Sequence, residues 1–334
     1  MAITTAGVSE LVSSTLRNRR GAPADNFTYN NGLLRFIRDS GNMKEVIDGG
    51  RTIAKEVIYA QNGTVNSYSG YDYINVTPQD TLSLAEYPLI QYAGTITISG
   101  AELLMNSGKE RVVNLVAERT QNLMGSLYNR VSQDSYGDGT GNSGKNIGGL
   151  GLLVASNPTT GTVGGIDRSL TNQLSTVWRN QKYSGVTDGG APVTSANIQS
   201  YMKALAIKCT RGADKPNVWI MDNNYYRLFY ASTTPQQRFT SGDSINAGAQ
   251  ELMFDGAPVL LDGGYQGTGT SGGCPANTAY ALNTKYLFYQ PHKDRNFTEI
   301  QKVNPFNQDA SINMFGWAGA LTMNNAFLQG TLIA

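Results

Sequence analysis

Apolar residues recur at helical spacing from Ser107 to about residue 133. Val112, Val116, Leu123, Leu127 and Val131 fall four, seven, four and four apart, with Thr120 in the gap. That spacing draws one stripe on a helix. Val113, Met124 and Tyr128 widen the stripe, and Lys109, Glu110, Glu118, Arg119 and Arg130 take the other faces. Ser107 followed by Glu110 reads as a capping box, and the Gly/Asp/Asn cluster from Gly137 stops the helix. A helix over 107–133 spans roughly 40 Å at about 1.5 Å per residue. Its single narrow stripe suits either a core helix or a strut across an extended subunit.

Upstream, 51–98 has strand character. Arg51 to Ala60 is rich in residues that suit a pleat, and Asn62-Gly63 is a turn signal. The sequence returns through Leu84, Tyr87, Leu89, Tyr92 and Thr95 to Ile98. The pattern predicts two strands joined by a long Tyr/Asn/Ser-rich segment. A loop that long inside a compact domain implies a function. Tyr68, Tyr71 and Tyr73 on it, with Tyr87 and Tyr92 on the return strand, are candidates for a subunit interface. Tyrosine combines apolar area with a hydrogen-bonding tip.

The remaining sequence divides coarsely. Residues 1–25 are a polar lead-in with a short helical run from Ser9 to Leu16, and Asn26 to Val46 reads as a short helix or strand. Ser99 to Met105 is a short helix with its own capping box, Ser99 and Glu102. Ile147 to Val154 is apolar, and Trp178 is a packing anchor. The Gly-rich stretch from Ser184 to Ala191 is the best linker candidate. Residues 192–290 read as an α/β unit. In it Thr194 caps a helix carrying Ile198, Met202, Leu205 and Ala206, Val218–Met221 is a buried strand, and Asp222 caps the next helix. Met253 to Leu261 is a turn and a strand. The tail, 295–334, is expected to return as strands to the sheet of the first unit.

At 334 residues the protein is long enough to bury a sizeable core. Its 26 basic and 25 acidic residues leave a net charge of +1, so no global field steers it to nucleic acid or a membrane. Charged residues are only 15% of the total, against 38 glycines and 18 tyrosines, which makes the surface largely polar and uncharged. Such a surface suits a protein that mostly meets other protein, and equally a secreted adhesin. Residues 1–20 carry Arg17, Arg19 and Arg20 and no apolar core, so no secretory leader is expected. The glycosylation triplets at Asn26, Asn62 and Asn296 are therefore read as chance. Cys209 and Cys274 permit one disulfide but require none, and are read as free thiols.

Motifs with apparent chemistry are weak. Gly139 to Asn146 nearly matches a phosphate-binding loop, but it follows a helix and opens onto Gly148-Gly149. A nucleotide-dependent enzyme built on 139–146 would bind nucleotide and lose it in Lys145→Ala. His292, the one histidine, lies beside Pro291 with no nucleophile elbow elsewhere. Asp138-x-Thr140-x-Asn142 begins like a calcium loop but has Ser143 and Gly149 where Gly and Glu are needed. No metal, cofactor or enzymatic activity is expected. Arg17, Arg19, Arg20, Lys109 and Arg111 are candidates for weak, non-specific contact with nucleic acid; their number is too small for sequence reading.

Four phrases, in this order, carry a resemblance: Ile98-Ser-Gly-Ala-Glu-Leu-Leu before the long helix; Asp138-Gly-Thr-Gly141 with Ile147-Gly-Gly-Leu150 after it; Phe254-Asp-Gly-Ala-Pro258; and Asn304-Pro-Phe-Asn-Gln-Asp-Ala310. With the element order, the sequence resembles the major capsid proteins of tailed bacteriophages, whose fold is shared with encapsulins. The resemblance implies an α+β capsid fold: an N-terminal arm and lead-in (1–49), an extended loop (50–98), a peripheral domain with the spine helix (99–191), an axial domain (192–290) and returning peripheral strands (291–334). It implies a structural protein that self-assembles as pentamers and hexamers into an icosahedral virion shell around double-stranded DNA. Assembly would take place in the host bacterial cytoplasm. Scaffolding, portal and decoration proteins are the implied partners. With no long charged N-terminal segment, a separate scaffolding protein or prior cleavage is expected. An encapsulin-like compartment is the alternative within the fold, and a secreted adhesin the alternative outside it.

Overall fold

The computed structural model describes residues 32–34, 36, 47–105, 115–233, 252–264 and 272–334. The expected helix start at Ser107 and Glu110, the stripe residues Val112 and Val113, and the basic residues Arg17, Arg19, Arg20, Lys109 and Arg111 lie outside the described residues.

Two strands, β1 (Thr52–Ile58) and β2 (Leu82–Pro88), pair antiparallel with Thr52 opposite Pro88 and Ile58 opposite Leu82. They form a two-stranded ribbon. β3 (Ile90–Ser99) leaves the ribbon and becomes one edge of a three-stranded sheet, where it pairs with β12 (Ala310–Met323). β11 (Leu287–Val303) flanks β12 on its other side. The tail thus returns to the first unit's sheet as the pattern predicts, with one exception below.

α1 (Gly100–Met105) is capped reciprocally. The Ser99 amide donates to Glu102 Oε2 at 3.2 Å and the Glu102 amide donates to Ser99 Oγ at 3.3 Å. This is the capping box expected from sequence. α2 (Leu115–Asp134) carries the long stripe. Leu127 and Val131 are buried, and Leu123 packs on β3 where Gly94 leaves room: a Cβ at Gly94 would collide with Leu123 Cδ1. An irregularity in β11 serves the same packing. Register shifts occur between Pro291 and Asn296 and on to Thr298, and Phe297 sits at φ 56°. The bulge turns the Phe297 ring onto Tyr128 of α2, with centroids 3.8 Å apart. Buried Trp317 collects the cluster, with Tyr289 at 5.5 Å, Tyr92 at 5.7 Å and Phe297 at 6.2 Å.

A six-stranded sheet forms the second layer system, in the order β6 (Gln181–Ser184), β13 (Gly330–Ile333), β10 (Thr278–Leu282), β7 (Val218–Met221), β9 (Ala257–Leu261), β8 (Leu252–Phe254). Its central strand β7 is buried at every position, as its unbroken apolar run requires. α5 (Ile198–Lys208) and α6 (Asn223–Thr233) pack on it and define a second core cluster with Met202, Leu205, Trp219 and Phe229. Asp222 caps α6 as expected, accepting from the Tyr225 and Asn224 amides at 3.0 and 3.2 Å. Asp255 and Gly256, both at positive φ, form the two-residue turn between β8 and β9.

Three local expectations are corrected. β13 leaves the tail for the six-stranded sheet, pairing with β10 and, parallel, with β6. Its buried Leu332 joins the second core cluster, while Thr331, opposite Tyr280, is buried on the other face of the sheet, towards the first cluster. The Ser184–Ala191 stretch is no loose linker. The Ser184 carbonyl accepts from the Asp188 and Gly189 amides, the Ala191 amide donates to the Gly185 carbonyl, and Tyr201 Oη of α5 donates to the Gly189 carbonyl at 3.0 Å. Thr194 does not cap α5 through its hydroxyl. The Thr194 carbonyl accepts from the Asn197 and Ile198 amides, while the Thr194 amide donates to Asn197 Oδ1 at 2.6 Å.

Candidate assembly arm

The β1–β2 ribbon is amphipathic by strand alternation. Ile53, Val57, Ala85 and Tyr87 point to the core; Ile58, Leu82 and Leu84 point to solvent on the other face. Beyond the ribbon, the segment 59–81 folds on itself through local hydrogen bonds. The Val65 amide donates to the Asn62 carbonyl, the Asp72 amide to the Ser69 carbonyl, and the Tyr59 amide to the Thr81 carbonyl, which closes the base. The two turns surround an open hollow of about 530 Å³ walled by Val65, Tyr68, Tyr73 and Ile74, among others.

This segment leaves its large side chains in water. Tyr71 and Tyr73 are fully exposed at 104% and 103%, and Val65, Tyr68, Ile74 and Val76 are mostly exposed. Scattered apolar residues on a surface need no explanation, whereas a contiguous run on one element makes it a candidate for an interaction site. The only charges from 59 to 81 are Asp72 and Asp80. Sparse charge and abundant tyrosine match the composition of interface centres.

Tyr87 and Tyr92 are placed differently from the three loop tyrosines. Tyr87 is 5% exposed and donates to the Met323 carbonyl at 2.9 Å, and burial pushes its phenol well above the ordinary range. Tyr92 Oη donates to Asp134 Oδ2 at 2.9 Å and accepts from the Ile147 amide at 2.9 Å; burial raises its phenol as well. Both side chains are thus used inside the subunit. Alternation along β2, which sets Ala85 and Tyr87 on one face against Leu84 and Glu86 on the other, was the signal that separates Tyr87 from the loop tyrosines.

The root of the arm is held by buried polar groups that no sequence motif marks. Asp134, at the end of α2, accepts from Tyr92 Oη, from Arg130 Nε at 3.0 Å and from Asn146 Nδ2 at 3.1 Å. It joins β3, α2 and the glycine loop. Arg168 has 0% exposure and no carboxylate partner among the described residues. Its guanidinium donates to the carbonyls of Trp178 at 3.0 Å, Leu152 at 3.2 Å and Leu153 at 2.7 Å, and to Asn180 Oδ1 at 3.4 Å. The Leu152 and Leu153 carbonyls end the short helix α3 (Leu150–Leu153), where a cation is favoured. Burial lowers the Arg168 pKa to about 10, still far above neutrality, so the group stays charged. Arg168 follows a small hairpin, β4 (Thr162–Val163) and β5 (Ile166–Asp167), whose Gly164 carbonyl accepts from the Glu86 amide of β2 at 2.9 Å. The hairpin thereby buttresses the ribbon.

The motifs with apparent chemistry resolve into local structure. From Gly139 to Gly144 the backbone turns through positive φ at Gly139, Asn142, Ser143 and Gly144. α2 precedes the loop, not a strand, and the four-residue α3 follows only at Leu150, so the geometry of a phosphate-binding loop is not present. Asp138 Oδ1 accepts from the Thr140 amide and hydroxyl, closing the turn. His292 lies on β11, and its Nδ1 accepts from the Asp294 amide two residues on. Cys209 and Cys274 are buried free thiols; burial pushes Cys209 up to about 12 and Cys274 well above its ordinary value. Among the described residues there is no cluster of three metal-ligating side chains, and no helix is long and apolar enough to cross a membrane.

No protein-family model and no curated protein matches the sequence. Solved structures do match. The capsid of cyanophage A-1(L) superposes with a TM-score of 0.63 at 15% identity, covering 95% of this chain and 96% of that one. The SrpI encapsulin from Synechococcus elongatus PCC 7942 gives 0.58 at 12% identity over 100% of this chain and 96% of that one. The capsid of Myoviridae phage XM1 gives 0.54 at 14% identity over 100% and 99%. From ribbon to six-stranded sheet, this protein has the α+β fold that tailed-phage capsid proteins share with an encapsulin.

Proposed function

We propose that this protein is the major capsid protein of a tailed bacteriophage, self-assembling as pentamers and hexamers into an icosahedral shell around double-stranded DNA. The observation that carries the reading is the arm: the outer face of the ribbon and the loop beyond it project large apolar side chains into water that the subunit's own core does not cover. A shell is built from contacts between unlike patches that close around symmetry axes. An arm of this kind reaches across a neighbour and buries apolar area there, at about 25 cal/mol per Å². Tyr68, Tyr71 and Tyr73 are the proposed contact residues. The division into arm, extended loop, peripheral domain and axial domain is proposed on the same basis, with β6 and β13 attached to the axial sheet. Scaffolding and portal proteins are proposed partners. Arg17, Arg19, Arg20, Lys109 and Arg111 are proposed to meet packaged DNA non-specifically.

Deleting residues 62–74 tests the reading. Subunits that stay folded by circular dichroism but no longer sediment as shells support it; normal shells from the deletion contradict it.

A second reading, an encapsulin-like compartment, is favoured by the full-length match to the encapsulin structure. Nuclease treatment of purified particles separates the two. Protected double-stranded DNA supports the phage head, and enzyme cargo without nucleic acid supports the compartment.

A further inference from the structure

We propose that Asn62 is a self-modifying site: the folded arm promotes its conversion to aspartate or isoaspartate by attack of the Gly63 amide nitrogen on the Asn62 carboxamide. Three observations meet there. Asn62 is exposed, and Gly63 carries no Cβ to block approach of its own nitrogen to Asn62 Cγ. The Gly63 amide makes no hydrogen bond among the described residues, so its proton is open to solvent base. Two donors converge on Asn62 Oδ1: the Thr64 amide at 2.9 Å and the Thr64 hydroxyl at 2.7 Å.

The chemistry gives those donors a role. Hydroxide takes the Gly63 amide proton, and the nitrogen bonds to Asn62 Cγ. Negative charge then develops on Oδ1, where both Thr64 donors already point. Donors held about 2.7–3.1 Å from an oxygen that gains charge form an oxyanion hole. The Cγ–Nδ2 bond of Asn62 breaks, and ammonia leaves with a proton from water. Water then opens the cyclic imide at either carbonyl, leaving a carboxylate at position 62.

The same arm supplies its own controls. Asn75 Oδ1 accepts from the Thr77 amide at 3.0 Å in the same kind of turn, but its following residue is Val76, whose branching at Cβ crowds the attacking nitrogen. Asn66 precedes Ser67. Only Asn62, among the described arm asparagines, joins a glycine to a doubly held carbonyl oxygen. Conversion adds a carboxylate to a loop whose only charges are Asp72 and Asp80. The modification follows from the loop's own chemistry and does not depend on the shell reading.

Folded wild-type protein, Thr64→Val and Thr64→Ser would be held at mildly alkaline pH and followed by peptide mapping with mass spectrometry. The expected result is conversion at Asn62 well ahead of Asn66 and Asn75, several-fold slower in Thr64→Val, and restored in Thr64→Ser, which keeps the same donors. In protein unfolded by denaturant the Thr64→Val effect should vanish. Conversion at Asn62 no faster than at Asn66, or an unchanged rate in folded Thr64→Val, would overturn the proposal.

Discussion

The residues that hold the arm in place are polar and buried, and each has a cost if removed. Among the described residues Arg168 has no counter-ion; three carbonyls and one amide oxygen take its donors. Replacing it by methionine keeps most of the volume but strips those acceptors of their partner. Arg168→Met is expected to lose on the order of 3 kcal/mol of stability, read as a lower midpoint in chemical denaturation; an unchanged midpoint would show that water replaces the guanidinium. Glu102 gives a pH dependence. Burial pushes its carboxyl up, but Arg119 Nη1 at 3.1 Å and the Ser99 donors outweigh that, and the group sits below the usual glutamate range. Because the folded-state value is depressed, its contribution is complete above the ordinary glutamate range and fades as pH falls through the folded value. Protection of the α1 amides from hydrogen exchange, taken relative to their intrinsic rates at each pH, should therefore fall in acid in the wild type, and this acid dependence should be weakened in Glu102→Gln.

At the scale of elements, what could be read from the sequence was whatever a short period or a local cap encodes. The α2 stripe, the Ser99–Glu102 box, the Asp222 cap and the buried run Val218–Met221 are of this kind. Asp134 and Arg168 were missed because their partners lie on other elements: Tyr92 on β3, Leu153 on α3, Trp178 beyond α4 (Gln173–Val177). The destination of β13 was missed for the same reason, since Gly330–Ile333 is a generic apolar strand whose sheet is chosen by tertiary fit. Within the arm, composition suggested five tyrosines for one surface, whereas strand alternation and the α2 contacts divide them into three exposed and two internal. This division predicts opposite behaviour. Tyr71→Ser with Tyr73→Ser should leave the thermal midpoint of isolated subunits unchanged, because neither ring touches the core, yet reduce shell yield in sedimentation. A lowered midpoint in that double variant would place the rings against the subunit itself.

The whole molecule joins a three-stranded sheet under α2 to a six-stranded sheet, and the backbone crosses between them more than once. β6 contributes to the second sheet before α5 begins, and β13 returns to it after β12 has closed the first. Such interleaving makes separate folding of the two parts unfavourable and ties the arm's root to the body of the subunit. The arm loop carries a run of large apolar side chains that the described residues of the subunit do not cover. The most direct test is electron microscopy of the full-length protein purified after expression alone and together with its neighbouring genes. Closed shells, or the pentamers and hexamers from which they are built, are the expected result. A monodisperse monomer in both preparations would contradict it.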